Sequence, residues 1–437
     1  MMQSILNFKI ETTNEKLTPR TGVAIFGEYT KGLGLEKIIN EAMPTSNHHN
    51  AYNPFEFIYP LILMLHSGVR VLDDIKEIRM DEALKTILKI DNIPTAGAFS
   101  KYLHRLGEDG EMAMKSINKK YLKRFLKSLK SDEDLVLDID ETFIEAHKNT
   151  AKYSYLKAPG YMPMIGHINN GYVIDVDFRD GNISPADKNL EFIKQCAMQL
   201  PIGKTFDRVR IDSAGYQAKI FNYCDEQNIK FTISAPLDKS IQYAISQVEH
   251  NDWKQLGNSK IEKVADTIHT MTDTENAFRL LIVKKDITPM FTELEEILTD
   301  DQKAQYYQEM HYCIATNDND LTAEEIIKLH RQRGETSENK IKELKNGFNM
   351  SYLPTSNFEA NSFYFQIGTL AYNLFLLFKQ ILDSNLQKHT VKTIRYKLYN
   401  IAGKVINHAR QIILKVNEQF IELLNTIRQR AYDVSLE

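Results

Sequence analysis

Apolar residues recur at helical spacing over 54–69, 71–79 and 111–129, so residues 1–130 read as mostly helical. Within that stretch, Pro94-Thr95 is a turn signal between DEALKTILKI and AGAFSKYLHRL. The pattern suits a helix-turn-helix whose short second helix presents Ser100, Lys101, His104 and Arg105 to DNA, although simple helical packing gives the same spacing. From residue 131 the period changes to two. LVLDID (135–140), YVIDVDF (172–178), RVRID (208–212) and KFTISA (230–235) predict strands, with helices over about 187–199 and 215–227 separating the later ones. Strands followed by helices in this order predict an α/β layer on a mixed sheet. RDGN (179–182) reads as the loop after the second strand. Residues 237–320 read as an insertion containing the strands AFRLLIVKKD (277–286) and HYCIATND (311–318). The chain then returns to helix through LTAEEIIKLHRQRG, ENKIKELKNGF and a long apolar segment around 361–382, and the amphipathic stretch from about 391 to 430 predicts helix to the end.

A chain of 437 residues exceeds one compact core. The expected layout is a helical domain over 1–130, an α/β core over 131–236 and 321–382 split by the block 237–320, and a helical C-terminal segment over 383–437. The longest apolar runs, 55–65 and 370–378, are shorter than the roughly 20 residues that cross a bilayer, and the first residues carry acids early. No membrane partner and a cytoplasmic location are therefore expected. Cys196, Cys224 and Cys313 lack metal-ligand spacing and read as buried thiols, so any catalytic metal must be held by oxygen.

A net charge of −4 is not that of a typical DNA-binding protein, but its distribution is uneven. Lys115, Lys119, Lys120, Lys123, Arg124, Lys127 and Lys130 form a segment without an acid. So do Lys388, Lys392, Arg395, Lys397, Lys404, Arg410 and Lys415. Each run alone reads as a solvated face; together they make a nucleic-acid surface an even alternative.

The acids carry the sharper signal. Asp138 and Asp140, two apart on a strand, share a face, and a carboxylate on so apolar a strand is costly without a partner. Asp212 ends the strand VRID, at the carboxyl edge where α/β sheets bind ligands. Glu338 lies on a helix with Lys345 seven residues on. Three such carboxylates can hold two Mg²⁺ ions about 4 Å apart for phosphoryl transfer. Each also has a plainer reading: Asp212 as a helix cap, and Glu338 as a surface partner of Lys342.

LDIDET, RIDSAGYQ and RQRGETSENKIKELK in this order resemble the DDE transposases of bacterial insertion sequences, most of all the group whose third motif runs Tyr, Arg, Glu, Lys along one helix. The resemblance extends over roughly 20–430 and includes the RDGN turn. It implies an RNase H-like catalytic domain with a β-rich insertion, and the catalytic and metal-holding residues Asp140 (in DET), Asp212 and Glu338. It also implies Mg²⁺, with Mn²⁺ as a substitute, and DNA contacts by Arg333 and Lys345. The sequence departs from the family pattern in two places. Four residues separate Arg333 from Glu338, one more than expected, which makes Glu335 a competitor, and His330 stands where the motif has Tyr. Some relatives stack an aromatic of the insertion on a flipped base, a role open to Trp253 beside the plainer one of core anchor. His147, His167 and Arg179 are further candidates for the cleft.

The implied activity is cut-and-paste transposition: binding of terminal inverted repeats in double-stranded DNA, strand cleavage, and transfer of the freed 3′-hydroxyl to target DNA, by a homodimer that holds two ends. An RNase H-like nuclease without strand transfer would share these residues. So would a transposase-derived DNA-binding protein that no longer cuts.

Overall fold

The computed structural model describes residues 6, 8–45, 52–285, 299, 302 and 311–436, without the side chains of Glu335 and Thr336. Most of 286–310, within the expected insertion, thus lies outside the described residues. The chain forms two compact units: residues 1–117 with 344–437, and residues 118–343.

The first unit opens with strand β1 (Lys16–Thr18) and the helices α1 (Thr21–Gly32), α2 (Leu35–Ala42) and α3 (Pro54–Ser67). Helix α3 starts on a capping box, in which Asn53 accepts from the Glu56 amide and Glu56 accepts from the Asn53 amide. Helices α4 (Ile75–Arg79) and α5 (Glu82–Leu88) follow, and Asp81 caps α5 while accepting from Thr18 and Arg20. Residues 91–95 form an irregular connection without an assigned turn, and the helix after it is not short. Helix α6 runs Ala96–Ser128, broken at Gly107, whose φ of 37° and ψ of −114° lie outside helical space.

The second unit is built on one nine-stranded sheet. Its strands, in chain order, begin with β2 (Val136–Glu141). Short strands β3 (Ile144–Glu145), β4 (Lys152–Tyr153) and β5 (Pro159–Tyr161) form a separate small sheet in the order β3-β5-β4. Then come β6 (Met164–Ile168), β7 (Tyr172–Asp177), helix α7 (Asn189–Gln199), β8 (Arg208–Ile211), helix α8 (Ala218–Glu226) and β9 (Lys230–Ala235). Beyond helix α9 (Lys239–Ser246) lie β10 (Lys254–Gln255), β11 (Glu262–His269), β12 (Phe278–Lys285) and β13 (His311–Thr316). The large sheet runs β10-β11-β12-β13-β9-β8-β2-β6-β7. The trio β2-β8-β9 is parallel; β6 pairs antiparallel with β2 and β7 with β6, and β13 joins β9 antiparallel. The strands expected as an insertion thus continue the sheet that carries the acids and are packed on both faces. Ile241 and Ile245 of α9 pack on one side, and Ile326 and Ile327 of helix α10 (Ala323–Arg333) on the other.

Helix α10 does not stop at Arg333. It continues through a wide π-turn over Gly334–Glu338, a further α-segment α11 (Asn339–Lys342), and a second π-turn over Glu343–Gly347. A π-turn takes up one residue more than an α-turn. The first one therefore accommodates the residue by which the spacing from Arg333 to Glu338 exceeds the family pattern.

The chain then completes the first unit with helix α12 (Phe358–Gln380), buried from Ala360 through Phe378, and the short helices α13 (Ser384–Gln387) and α14 (Val391–Ile394). The C-terminal segment is not wholly helical, which corrects the expectation for 391–430. Strands β14 (Gly403–His408) and β15 (Gln411–Val416) form a hairpin, β1 pairs with β14, and only α15 (Ile421–Ser435) is a long helix beyond it. Val405, Ile406, Ile412 and Ile413 are β-branched and lie along the paired strands of the hairpin, a preference that outweighs the apparent amphipathic period. Cys196, Cys224 and Cys313 are buried free thiols, as read from their spacing. Among the described residues no single helix is long and apolar enough to cross a membrane.

Ala409 and Arg410, at the hairpin tip, both hold positive φ (49° and 64°), the geometry of a type I′ turn, in which glycine is favoured at the second position. Arg410→Gly is therefore expected to stabilise the protein by up to about 1 kcal/mol, read as a rise in the denaturant midpoint.

Candidate active site

The carboxyl ends of β2 and β8 lie side by side, with Asp138 opposite Arg210 in the parallel register. These two residues form a buried pair with two contacts, Arg210 Nε to Asp138 Oδ1 and Nη2 to Oδ2, both 2.6 Å. Arg210 also donates through Nη1 to the carbonyl of Leu329 in α10 at 2.6 Å. One side chain therefore ties two strands to the helix that leads to Glu338. Asp138 is thereby committed to a structural contact.

Two residues further on come Asp140, on β2, and Asp212, just past the end of β8. Both line a cavity of about 110 Å³ whose wall includes Glu141, Tyr155, Met164, Asn189 and Ala214. Asp212 also caps the turn after β8, accepting from the Ala214 amide at 3.0 Å. The expected capping contact and the position on the cavity wall thus coexist. Asp140 accepts from Ser337 at 3.4 Å and lies 3.3 Å from the Arg333 guanidinium. Burial raises its pKa to about 6; Arg333 acts against the rise, and the charges of Asp212 and Glu338 add to it.

Glu338 is exposed and lies 3.8 Å from Lys342, the surface contact foreseen as its plainer role. Its charge nonetheless reaches Asp140. Glu335 sits in the same π-turn, with its side chain outside the described residues. Among the described residues no three His, Cys, Asp or Glu side chains are gathered closely enough to hold a metal ion. The donor chemistry still fits a hard cation: the groups are oxygens of like charge, and the buried Glu141 Oε2 on the cavity wall has no hydrogen-bond partner.

The remaining candidates fall in different surroundings. Arg333 donates to the Ile139 carbonyl at 3.1 Å as well as facing Asp140. His330, at the position expected for Tyr, meets Ser234 at 3.0 Å; burial, then the charges of Arg333 and Arg210, lower its pKa to about 4. His167 is buried without a hydrogen-bond partner, and its pKa falls to about 3, through burial and then Arg333 and Lys340. Arg179 is buried and paired with Glu141, next to Asp140, while His147 is exposed beside Glu145 at 2.8 Å. Trp253 is partly buried against the Ile241–Ile245 cluster with Lys284 over its ring at 5.8 Å, the surroundings of a core anchor. Lys345 belongs to the first unit, where burial lowers its pKa. Lys101 and Arg105 are exposed on α6 in that unit.

Three contributors to this site do not stand out in the sequence. Arg210 carried a signal, a basic residue alternating with apolar ones in a strand. Ser337 and Tyr155 carried none, because their places depend on the π-turn and on a distant hairpin.

A model of the family described as transposase DDE domain group 1 matches residues 3–429, and the chain belongs to that family. No match is found among curated proteins.

Two measurements probe these electrostatics. Asp140 binds its proton more tightly folded than unfolded, so stability is lost as the pH rises from about 4 through 6. Asp140→Asn is expected to raise the unfolding free energy by about 1–3 kcal/mol at pH 7.5 and to change it little near pH 4, in urea titrations at both values. Arg210→Met is expected to cost about 3–5 kcal/mol by leaving Asp138 buried beside an apolar side chain, and Asp138→Leu added to it to recover part of the loss.

Proposed function

We propose that the chain is a cut-and-paste transposase that acts on double-stranded DNA, with Asp140, Asp212 and Glu338 as its catalytic carboxylates. The observation that carries this reading is the pairing of Asp140 and Asp212 on one cavity wall, with a third acid close enough to raise the pKa of the first. The strand order β7-β6-β2-β8-β9, with β2, β8 and β9 parallel, supports an RNase H-like core. The alternation of sheet, helix and acid-bearing strand end suits chemistry at the carboxyl edge.

Asp140, Asp212 and Glu338 would hold Mg²⁺ or Mn²⁺, with Glu338 leaving Lys342 to join the other two. A bound divalent ion supplies activation of the attacking oxygen and stabilisation of the leaving one. The protein's own groups orient and neutralise. Arg333, already a counter-charge to Asp140, is suited to a phosphate near the cut, and Lys345 is a second candidate for that role. Ser337 and Arg210 hold the acids and their helix in register. Cleavage and strand transfer are both displacements at phosphorus, so one site can serve both, and a homodimer would hold the two ends. Lys101 and Arg105 on the exposed face of α6 are candidates for contact with the inverted repeat.

The test is cleavage of a duplex bearing the inverted repeat that flanks the gene, with Mg²⁺, by the parent, Glu338→Gln and Glu335→Gln. A loss of at least about a hundredfold in Glu338→Gln and near-parental activity in Glu335→Gln is expected. The reverse pattern would move the third acid to Glu335. A parent that binds the repeat but never cuts it, with either metal, would leave a DNA-binding protein; cleavage without joined products would leave a nuclease.

A further inference from the structure

The segment from Lys148 to Lys157 has no acidic residue and interleaves lysines with aromatics: Lys148, Lys152, Tyr153, Tyr155 and Lys157. Its fold explains why Lys152, Tyr153, Tyr155 and Lys157 point outward. Strands β4 and β5 form a small hairpin closed by a β-turn, with the Lys157 amide donating to the Ser154 carbonyl at 3.0 Å and the Ser154 amide to the Ala158 carbonyl at 2.9 Å. Ser154 is buried, and its hydroxyl accepts from the Leu156 amide at 3.1 Å, which fixes the tip. Tyr155 and Leu156 are the two central residues of the turn and are 60% and 50% exposed; Tyr153, before it, is 66% exposed. Lys152 and Lys157 are exposed beside them.

The base of the hairpin is held tightly against the end of β7. The Met162 amide donates to the Arg179 carbonyl at 2.8 Å, and the Gly181 amide to the Gly160 carbonyl at 3.0 Å. A Cβ at Gly181 would collide with the backbone of Gly160 and Lys152, so the RDGN turn needs its glycine to seat the hairpin. The buried Arg179–Glu141 pair fastens the same junction to the end of β2, one residue past Asp140. The tip is thus a small, exposed, aromatic and basic surface on a rigid stem. It also reaches the acids: Tyr155 lines the same cavity as Asp140 and Asp212.

We propose that this hairpin is a DNA-binding flap in which Tyr155 stacks on a base next to the phosphate at the acids, while Lys152 and Lys157 contact flanking phosphates. The proposal rests on the transposase reading of the cavity. Acids facing a phosphate repel it, so the strand must be held by cations and flat apolar surfaces at the rim, and the flap offers both. Base stacking on an aromatic ring tolerates any sequence, and a rigid tyrosine loses little freedom on binding. The ring at the cavity is Tyr155, whereas Trp253, the other aromatic candidate for stacking, is packed into the sheet extension.

The experiment uses the full chain in EDTA and a duplex carrying the inverted repeat, with 2-aminopurine at the terminal and adjoining positions. The parent is expected to bind it and to change the 2-aminopurine fluorescence. Tyr155→Ala, at an exposed turn position, is expected to bind roughly tenfold more weakly and to lose the fluorescence change, and Tyr155→Trp to keep both. Lys152→Ala with Lys157→Ala is expected to lower the slope of log affinity against log salt by about 2, with the fluorescence change intact at saturation. Parental affinity and fluorescence in Tyr155→Ala overturn the flap and leave the transposase reading standing. A parent that does not bind the repeat at all overturns that reading and the flap with it.

Discussion

The contact on which the acid-bearing unit depends most is the buried pair of Asp138 and Arg210. Two opposite charges removed from water are costly, and their mutual attraction repays that cost only when geometry and further hydrogen bonds are good. Here both conditions are met: two short contacts join the partners, and the remaining guanidinium nitrogen reaches the Leu329 carbonyl. The pair therefore acts less as a source of stability than as a registration pin. It fixes β2 against β8 and fixes the helix above both, which sets where Asp140 and Asp212 emerge relative to the π-turn.

Around that pin the site is organised by opposed electrostatic demands. Asp140 is crowded by like charges and burial, and Arg333 relieves part of the crowding. The two histidines packed near Arg333 are pushed the other way and stay neutral at ordinary pH, because burial and the neighbouring cations disfavour a further positive charge. Neutral rings add no further positive charge where Arg333, Arg210 and Lys340 already act on them. Acids face the cavity, and the cations that restrain them lie under the helix or in the strand beside them.

Much of this was legible in the sequence because it is local. Alternating apolar residues marked β2, β7, β8 and β9 to within a residue or so, and the place of Asp212 at the end of VRID pointed to a sheet edge. Strand β6 carries no local signal: MIGHI follows a proline and contains a glycine, and it is a strand because β2 and β7 supply partners on both sides. The hairpin at 403–416 looks helical to any local reading because its lysines and isoleucines also fit a helical period. Its pairing with β1, near the other end of the chain, is beyond any local window. The place of Tyr155 was equally hidden, since nothing near it in sequence says which cavity its turn will face.

The wide turn at Gly334–Glu338 has a consequence for how such a helix can drift. Every residue added to a regular α-helix rotates all that follows by about 100° about the axis. A five-residue turn absorbs the added residue locally and keeps the two halves of the helix in phase. Upstream, His330 and Arg333 face the sheet; within the turn itself, Ser337 faces Asp140. The turn works as a slip joint, so the length of the segment can change by one while the side chains before it keep their facing.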